Sequence, residues 1–269
     1  MLEKNIFQIS ALDPEGRQPV SREVPFFRFP GLSLYPDLAH FVFTRLGGVS
    51  DSDFQSLNVS TSTGDSPKNV EDNLSLIREV TGAESLRFMD QVHGKTVVIL
   101  RRGALPKETG PFTADAMVTD IAGAALLVKQ ADCQAVILYD PLKKVIANVH
   151  CGWRGNTQGL LKDVVTAMKA EFGCDPSLLR AAIGPSLGPC CAEFVTYREI
   201  FPESFRAFMT RDNYFDLWAV SRSQLIEAGL EDGHIESARW CTRCRTDLFY
   251  SHRGEGRTGR SATVVMLNP

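Results

Sequence analysis

Three residues on separate stretches of the chain have the chemistry of metal ligands: His93 in "DQVHGK", Cys133 in "KQADCQAV" and His150 in "ANVHCGWRG". One cysteine and two histidines are a standard set for a catalytic zinc, which keeps its fourth position for water or substrate. The same donors also describe a blue-copper centre. Taken singly, the residues are ordinary: a histidine beside glycine in a loop is usually solvated, and a cysteine between apolar runs usually fills space in a core. Spacing alone leaves these readings open. A metal-free chemistry is a further option, with Cys133 as nucleophile and His150 as its base.

Other strings imitate known sites and fail on their surroundings. "HGKT" ends like a phosphate loop, but Met89 stands where that loop needs its first glycine. "GEGRTG" (254–259) spells the dinucleotide fingerprint, yet the ten residues after it read as a strand and not as the helix that would face a pyrophosphate. That loop does carry Arg253, Arg257 and Arg260, a candidate clamp for one phosphate. "HIESARWCTRC" (234–244) resembles the nucleobase deaminase pattern but has Trp240 in place of proline and too short a gap between its halves. Its Cys241 and Cys244 could join His234 and His252 in a structural zinc site, although a lone C-x-x-C is a weak signal.

The elements that must position these residues follow from pattern. "AHFVFTR" (39–45) reads as a strand entering the turn "LGGVS". Ser66 and Pro67 open a helix running to about Val80, with Ser66 as its cap and Gly82 as its stop. From Thr96 to Val149 the runs "TVVIL", "DAMVTD", "AALLVKQ", "QAVILYD" and "KVIANVH" predict strands of a mixed sheet, with a hairpin bringing Cys133 close to His150. Residues 156–172 carry Leu160, Leu161, Val164, Val165 and Met168 at helical spacing and predict one amphipathic helix ending at Gly173. A strand near "LRAAIG", a helix near "AVSRSQLIEAGL" and a last strand "SATVVML" complete an α+β pattern without repeats or linkers. A single domain over 1–269, with its core at about 39–268, is expected.

Composition bounds the function. The 269 residues are 43% hydrophobic and 23% charged, enough for a sizeable core. A net charge of -3 removes the basic footprint of a nucleic-acid binder. No run approaches the roughly 18 apolar residues of a spanning helix, and "MLEKNIFQIS" lacks the core of a signal peptide, so no membrane is expected. Seven cysteines, two of them adjacent, suit a reducing compartment and a cytoplasmic protein.

The blocks "QVHG", "TADAMVT", "ADCQAVILYDP", "VHCGWRG", "AAIGPSLGPCCAEF" and "CTRCRTDLFYSHRGEGRTGR" resemble, in order, those of the YfiH family, also known as the DUF152 or polyphenol oxidase laccase family. The resemblance implies the YfiH fold, which is similar to that of Cys-His deamidase toxins. It implies that His93, Cys133 and His150 bind a metal, usually zinc. It also brings Arg45, Asp115 and Gln91 to the same pocket, Asp115 and Arg45 as catalytic candidates and Arg45, Gln91 and Arg260 as substrate-binding candidates. Asn58, in a "SLNVS" close to the family's "SLNLG", joins the latter. The implied activity is phosphorolysis of adenosine, inosine or guanosine, and possible methylthioadenosine, to base and ribose 1-phosphate, with deamination of adenosine. Purine nucleosides and phosphate are the expected partners, and the chain a monomer or homodimer. The alternatives are a copper-dependent polyphenol oxidase and the metal-free Cys-His hydrolase. Five histidines are too few for the mostly imidazole-ligated copper sites of a laccase, so copper is expected to be adventitious.

Overall fold

The computed structural model describes residues 23–101 and 111–269; the N-terminal stretch read above for a leader lies outside the described residues. Its strands are, in chain order, β1 Phe26–Phe27, β2 Leu38–Phe43, β3 Ser85–Asp90, β4 Val97–Leu100, β5 Phe112–Thr113, β6 Ala116–Thr119, β7 Ala124–Gln130, β8 Gln134–Asp140, β9 Val145–Cys151, β10 Arg180–Ile183, β11 Met209–Arg211, β12 Tyr214–Phe215, β13 Ile235–Ser237 and β14 Ser261–Leu267. The α-helices are α1 Pro67–Thr81, α2 Trp153–Gln158, α3 Leu160–Phe172, α4 Tyr197–Ile200, α5 Leu217–Glu227 and α6 His252–Glu255.

The middle strands form mixed sheets, as expected, and they form two of them. They divide between two six-stranded mixed sheets, ordered β1-β2-β14-β7-β3-β5 and β13-β10-β8-β9-β6-β4. The reason lies in strands that are apolar on both faces. In β7, Leu126 and Val128 pack with Ala135, Ile137 and Tyr139 of β8 in a core between the sheets, while Ala125 and Leu127 pack with Ile77 on the α1 side. Val136 and Leu138 of β8 turn outward under Leu161, Val165 and Met168 of α3. The result is four layers, helix, sheet, sheet and helix, a single α+β domain. Asn148 ties the sheets together by donating from Nδ2 to the carbonyls of Leu126 and Thr263.

Two local expectations change. The helix expected over 156–172 is broken at Gly159, whose φ of 74° closes α2 and restarts the chain as α3. Ser66 and Pro67 do open α1, but the Ser66 side chain makes no capping hydrogen bond. β3, in "SLRFMD", escaped the pattern reading because only Met89 of its six residues is buried.

The chain crosses from one sheet to the other between β3 and β4, and again between β7 and β8. His93 lies in the first crossing, Cys133 in the second, and His150 near the end of β9, paired across the hairpin with Ala135.

Candidate metal centre

The two crossings bring the three ligand candidates together: the ligating atoms of His93, Cys133 and His150 lie within 4.8 Å of one another. Cys133 Sγ is 3.7 Å from His93 Nε2, and the two imidazoles meet edge to face with centroids 4.9 Å apart. His150 is buried, Cys133 half-buried and His93 exposed, so the site opens on the His93 side.

Local backbone explains the convergence. His93 and Asp132 both adopt left-handed conformations, φ 58° and 80°, which turn the two crossings sharply at the site. Gly152, at ordinary φ, is required by space: a Cβ there would lie 2.8 Å from Cys133 Sγ and 3.3 Å from His93 Cδ2. Cys151 and Trp153, which flank it in "HCGWRG", belong to the packing. Cys151 lies in the core under α3, and Trp153 meets Phe194 and Phe201.

Asp115 organises the ligands and is fully buried. Its Oδ1 accepts the His93 N–H at 3.0 Å and its Oδ2 the Gly94 and Val92 N–H groups at 2.7 and 3.3 Å. Oδ1 also lies 2.9 Å from His150 Nδ1, so that nitrogen donates to the carboxylate and leaves the Nε2 lone pair for a metal. Burial pushes the Asp115 carboxyl up, but His150 and the Gly94 and His93 N–H groups outweigh it and hold the group below the usual carboxylate range. The resemblance made Asp115 a catalytic candidate. Its burial, committed acceptors and lowered pKa fit the positioning of His150 instead.

The ligands polarise one another. Burial pushes the Cys133 thiol up, but His150 and His93 pull it down further, to about 6. Burial pulls the His150 imidazole down, but Cys133 and Asp115 raise it to about 9. A thiolate beside two imidazoles is the donor set of a soft-to-borderline divalent metal. The residues present therefore fit one zinc.

The remaining candidates sit differently from expectation. Arg45 is committed elsewhere: Nε donates to the Gln55 carbonyl, Nη1 to the Thr246 carbonyl and to Glu255 Oε1 at 2.7 Å, and its face rests on Tyr250. This is the environment of a structural ion pair. Asn58, read as substrate-binding, is fully buried. Its Nδ2 donates to Ser60 O, Thr63 Oγ1 and Asp65, and its Oδ1 accepts from Ser60 N and Arg260 N, so it supports Arg260 from behind. Gln91 spends its amide on the Lys129 backbone, joining the loop after β3 to β7. Arg260 is half-buried, close enough to Cys133 and Asp132 for their charges to act on it, and has no carboxylate ion pair among the described residues. Of the three arginines in the "GEGRTG" region, Arg257 pairs with Asp53 and Arg253 donates to the Glu193 carbonyl. Arg260 Nη1 likewise donates to the Thr258 and Gly259 carbonyls, but it is the member of the expected clamp on which the charges of Cys133 and Asp132 act.

Sequence reasoning passed over Asp132, although "ADC" was in view. Its Oδ1 accepts from Thr242 Oγ1 and Ser251 Oγ, its Oδ2 from the Arg253 N–H, and its carbonyl from the Leu187 N–H. Those partners lie 55 to 121 positions away, which no local pattern reveals.

Fold and site together define an α+β protein whose two stacked sheets bring one cysteine and two histidines into an arrangement suited to a metal ion. The chain belongs to the YfiH family, described as "multi-copper polyphenol oxidoreductase laccase", whose model matches residues 39–268. It is 34% identical to a purine nucleoside phosphorylase of Xylella fastidiosa over 82% of this chain and 88% of that one. It is 32% identical to the purine nucleoside phosphorylase YfiH of Shigella flexneri, over 83% and 91%. The crystal structure of YlmD from Geobacillus stearothermophilus superposes with a TM-score of 0.81 at 28% identity, covering 94% of this chain and 98% of that one.

Proposed function

We propose that the protein is a zinc-dependent enzyme of purine nucleosides. It cleaves adenosine, inosine and guanosine with phosphate to base and ribose 1-phosphate, and methylthioadenosine to adenine and 5-methylthioribose 1-phosphate, and it deaminates adenosine. The observation that carries this reading is the mutual approach of His93, Cys133 and His150 with Asp115 behind them, three protein donors that leave a four-coordinate ion one open position. The relatives named purine nucleoside phosphorylase supply the substrate class. Zinc held by His93, Cys133 and His150 would supply Lewis acidity and would lower the pKa of a bound water toward ~7. Asp115 keeps His150 in the ligating tautomer, and Arg260, without a carboxylate partner among the described residues, offers its charge to phosphate. All seven cysteines are free, and no helix among the described residues is long and apolar enough to cross a membrane, which supports the cytoplasmic reading.

A multicopper oxidase does not fit these residues. His40 accepts the Phe29 N–H, and His234 and His252 bond the carbonyls of Ser177 and Gly256, so two of the five histidines meet at the site. The metal-free Cys-His hydrolase has an observation in its favour, because Cys133, His150 and Asp115 also line up as nucleophile, base and orienter. His93 beside Cys133 favours the metal: a nucleophile needs no second imidazole, and a metal-bound thiolate attacks poorly.

The test is chromatography of adenosine incubated with protein purified without added metal. Inosine is expected in phosphate-free buffer, adenine and hypoxanthine only with phosphate, and chelation is expected to stop the deamination. Rapid oxidation of catechol-type phenols by copper-free protein, with nucleosides left intact, would overturn the reading in favour of an oxidase.

A further inference from the structure

We propose that Cys190, Cys191, Cys241 and Cys244 form a second metal site, a tetrathiolate zinc centre that clamps the loops behind Asp132 and Cys133. Their sulfurs all lie within 4.8 Å of one another, and Cys244 Sγ is 3.6 Å from both Cys190 Sγ and Cys191 Sγ. Four thiolates at about 2.3 Å around zinc form a tetrahedron with edges of about 3.8 Å. The two 3.6 Å separations are close to that edge, and both lie far beyond the roughly 2.05 Å of a disulfide. Disulfides would also draw the sulfurs together in pairs, whereas Cys244 is equally distant from two partners.

The surroundings point the same way. Cys241 is buried and Cys191 packs against the aromatic cluster around Phe215, but Cys190 and Cys244 are exposed, so core packing alone does not explain four of the chain's seven cysteines gathering here. Cys241 and Cys244 have the C-x-x-C spacing of a zinc knuckle. The backbones must approach closely to form the cluster, since a Cβ on Gly188 would lie 3.0 Å from Cys241 Cβ and 2.7 Å from the Trp218 ring. Zinc with four thiolates carries net negative charge, and Arg211, which donates to the Cys190 carbonyl, stands at its edge. The sequence paired Cys241 and Cys244 with His234 and His252; the structure gives them Cys190 and Cys191.

The centre joins two loops that both hold Asp132. The loop after β10 supplies the Leu187 N–H to the Asp132 carbonyl, and the loop after β13 supplies Thr242 Oγ1 to its carboxylate. Ser186 and Cys241 are bridged backbone to backbone. Four protein ligands leave no open position, so the centre is structural, and its product is a fixed left-handed Asp132 immediately before Cys133.

The experiment is metal analysis of full-length protein purified under reducing conditions without added metal. Wild type should carry two zinc ions per chain. Cys133→Ala should carry one, and so should Cys244→Ser and Cys190→Ser, the latter two also melting at lower temperature. Cobalt-loaded Cys133→Ala should show intense thiolate-to-cobalt charge-transfer absorption that is lost in Cys133→Ala/Cys244→Ser. If the serine variants do not fold, wild type and Cys133→Ala decide the matter by themselves. One metal per chain in wild type with none in Cys133→Ala, iron in place of zinc, or a disulfide from Cys244 to Cys190 or Cys191 in the reduced protein would each overturn the proposal.

Discussion

Replacing Asp115 with asparagine tests the centre at its most connected point. The change keeps the shape and removes the charge. With Oδ1 still accepting from His93 N–H and His150 Nδ1–H, the new amide nitrogen takes the place of Oδ2. It then faces the Gly94 N–H at 2.7 Å and the Val92 N–H at 3.3 Å, donor against donor, in a fully buried position. The opposite rotamer sets the amide against His93 N–H and His150 Nδ1 and forces the wrong imidazole tautomer. Hydrogen bonds to a charged acceptor contribute about 1.5–3 kcal/mol each, so losing two costs about 3–6 kcal/mol. That is less than the upper range of domain stability, and it lowers the melting temperature by roughly 6–24 °C. Loss of the group that orients a metal-binding histidine weakens metal affinity about 10–100-fold. Thermal unfolding of metal-free and zinc-loaded protein, with competition against a chromophoric chelator, measures both effects. Wild-type melting together with wild-type zinc affinity in Asp115→Asn would refute the role assigned to this carboxylate.

Gly152→Ala puts a methyl 2.8 Å from Cys133 Sγ, so it should cut zinc affinity by about tenfold or more while the metal-free fold survives; equilibrium dialysis reads this. Arg45→Ala loses its Glu255 pair and the Tyr250 ring and should destabilise by about 2–4 kcal/mol in denaturant melts, with the KM for phosphate unchanged. Arg260→Ala should do the reverse, raising that KM about 10–100-fold through loss of charge-assisted bonds, with a smaller change in melting. In metal-free protein the folded Cys133 thiol titrates at about 6, below its unfolded value, so its contribution to stability is complete above that unfolded value and is lost as pH falls through about 6. His150, raised to about 9, contributes fully below its unfolded pKa and loses its contribution as pH rises through about 9. Metal-free protein should therefore melt highest between these values, and peptide mapping of iodoacetamide labelling should show Cys133 reacting half-maximally near pH 6; a midpoint near ~8.5, as in a free thiol, would contradict the pairing.

Much of the local structure was legible in the chain. Helix α1 begins at Pro67 and ends before Gly82 because proline at the first position and a left-handed glycine act on their immediate neighbours. Strands β7, β8, β9 and β14 stand where apolar runs of seven residues were read. The candidate ligand types were visible too, and the structure brings His93, Cys133 and His150 within 4.8 Å of one another. The helix break at Gly159 was missed because the apolar spacing of α3 continues smoothly toward it from one side only.

Tertiary structure decided the partnerships. A run apolar on both faces could join either sheet, and only the stacking of β7 on β8 and β9 placed it opposite them. Arg45, Asn58 and Gln91 are polar residues in matching blocks, and sequence cannot say whether such a side chain meets a substrate or a carbonyl of its own chain. Here they meet Glu255, Asp65 and Lys129. The four-cysteine cluster is divided between "CC" and "C-x-x-C" strings about fifty residues apart, joined only when the loops after β10 and β13 close on Asp132. The sequence by itself determined backbone preferences and the chemical types of the ligands, because these depend on a few adjacent residues. Which donor faces which acceptor depended on long-range closure of the chain, and that was settled only when the two sheets packed.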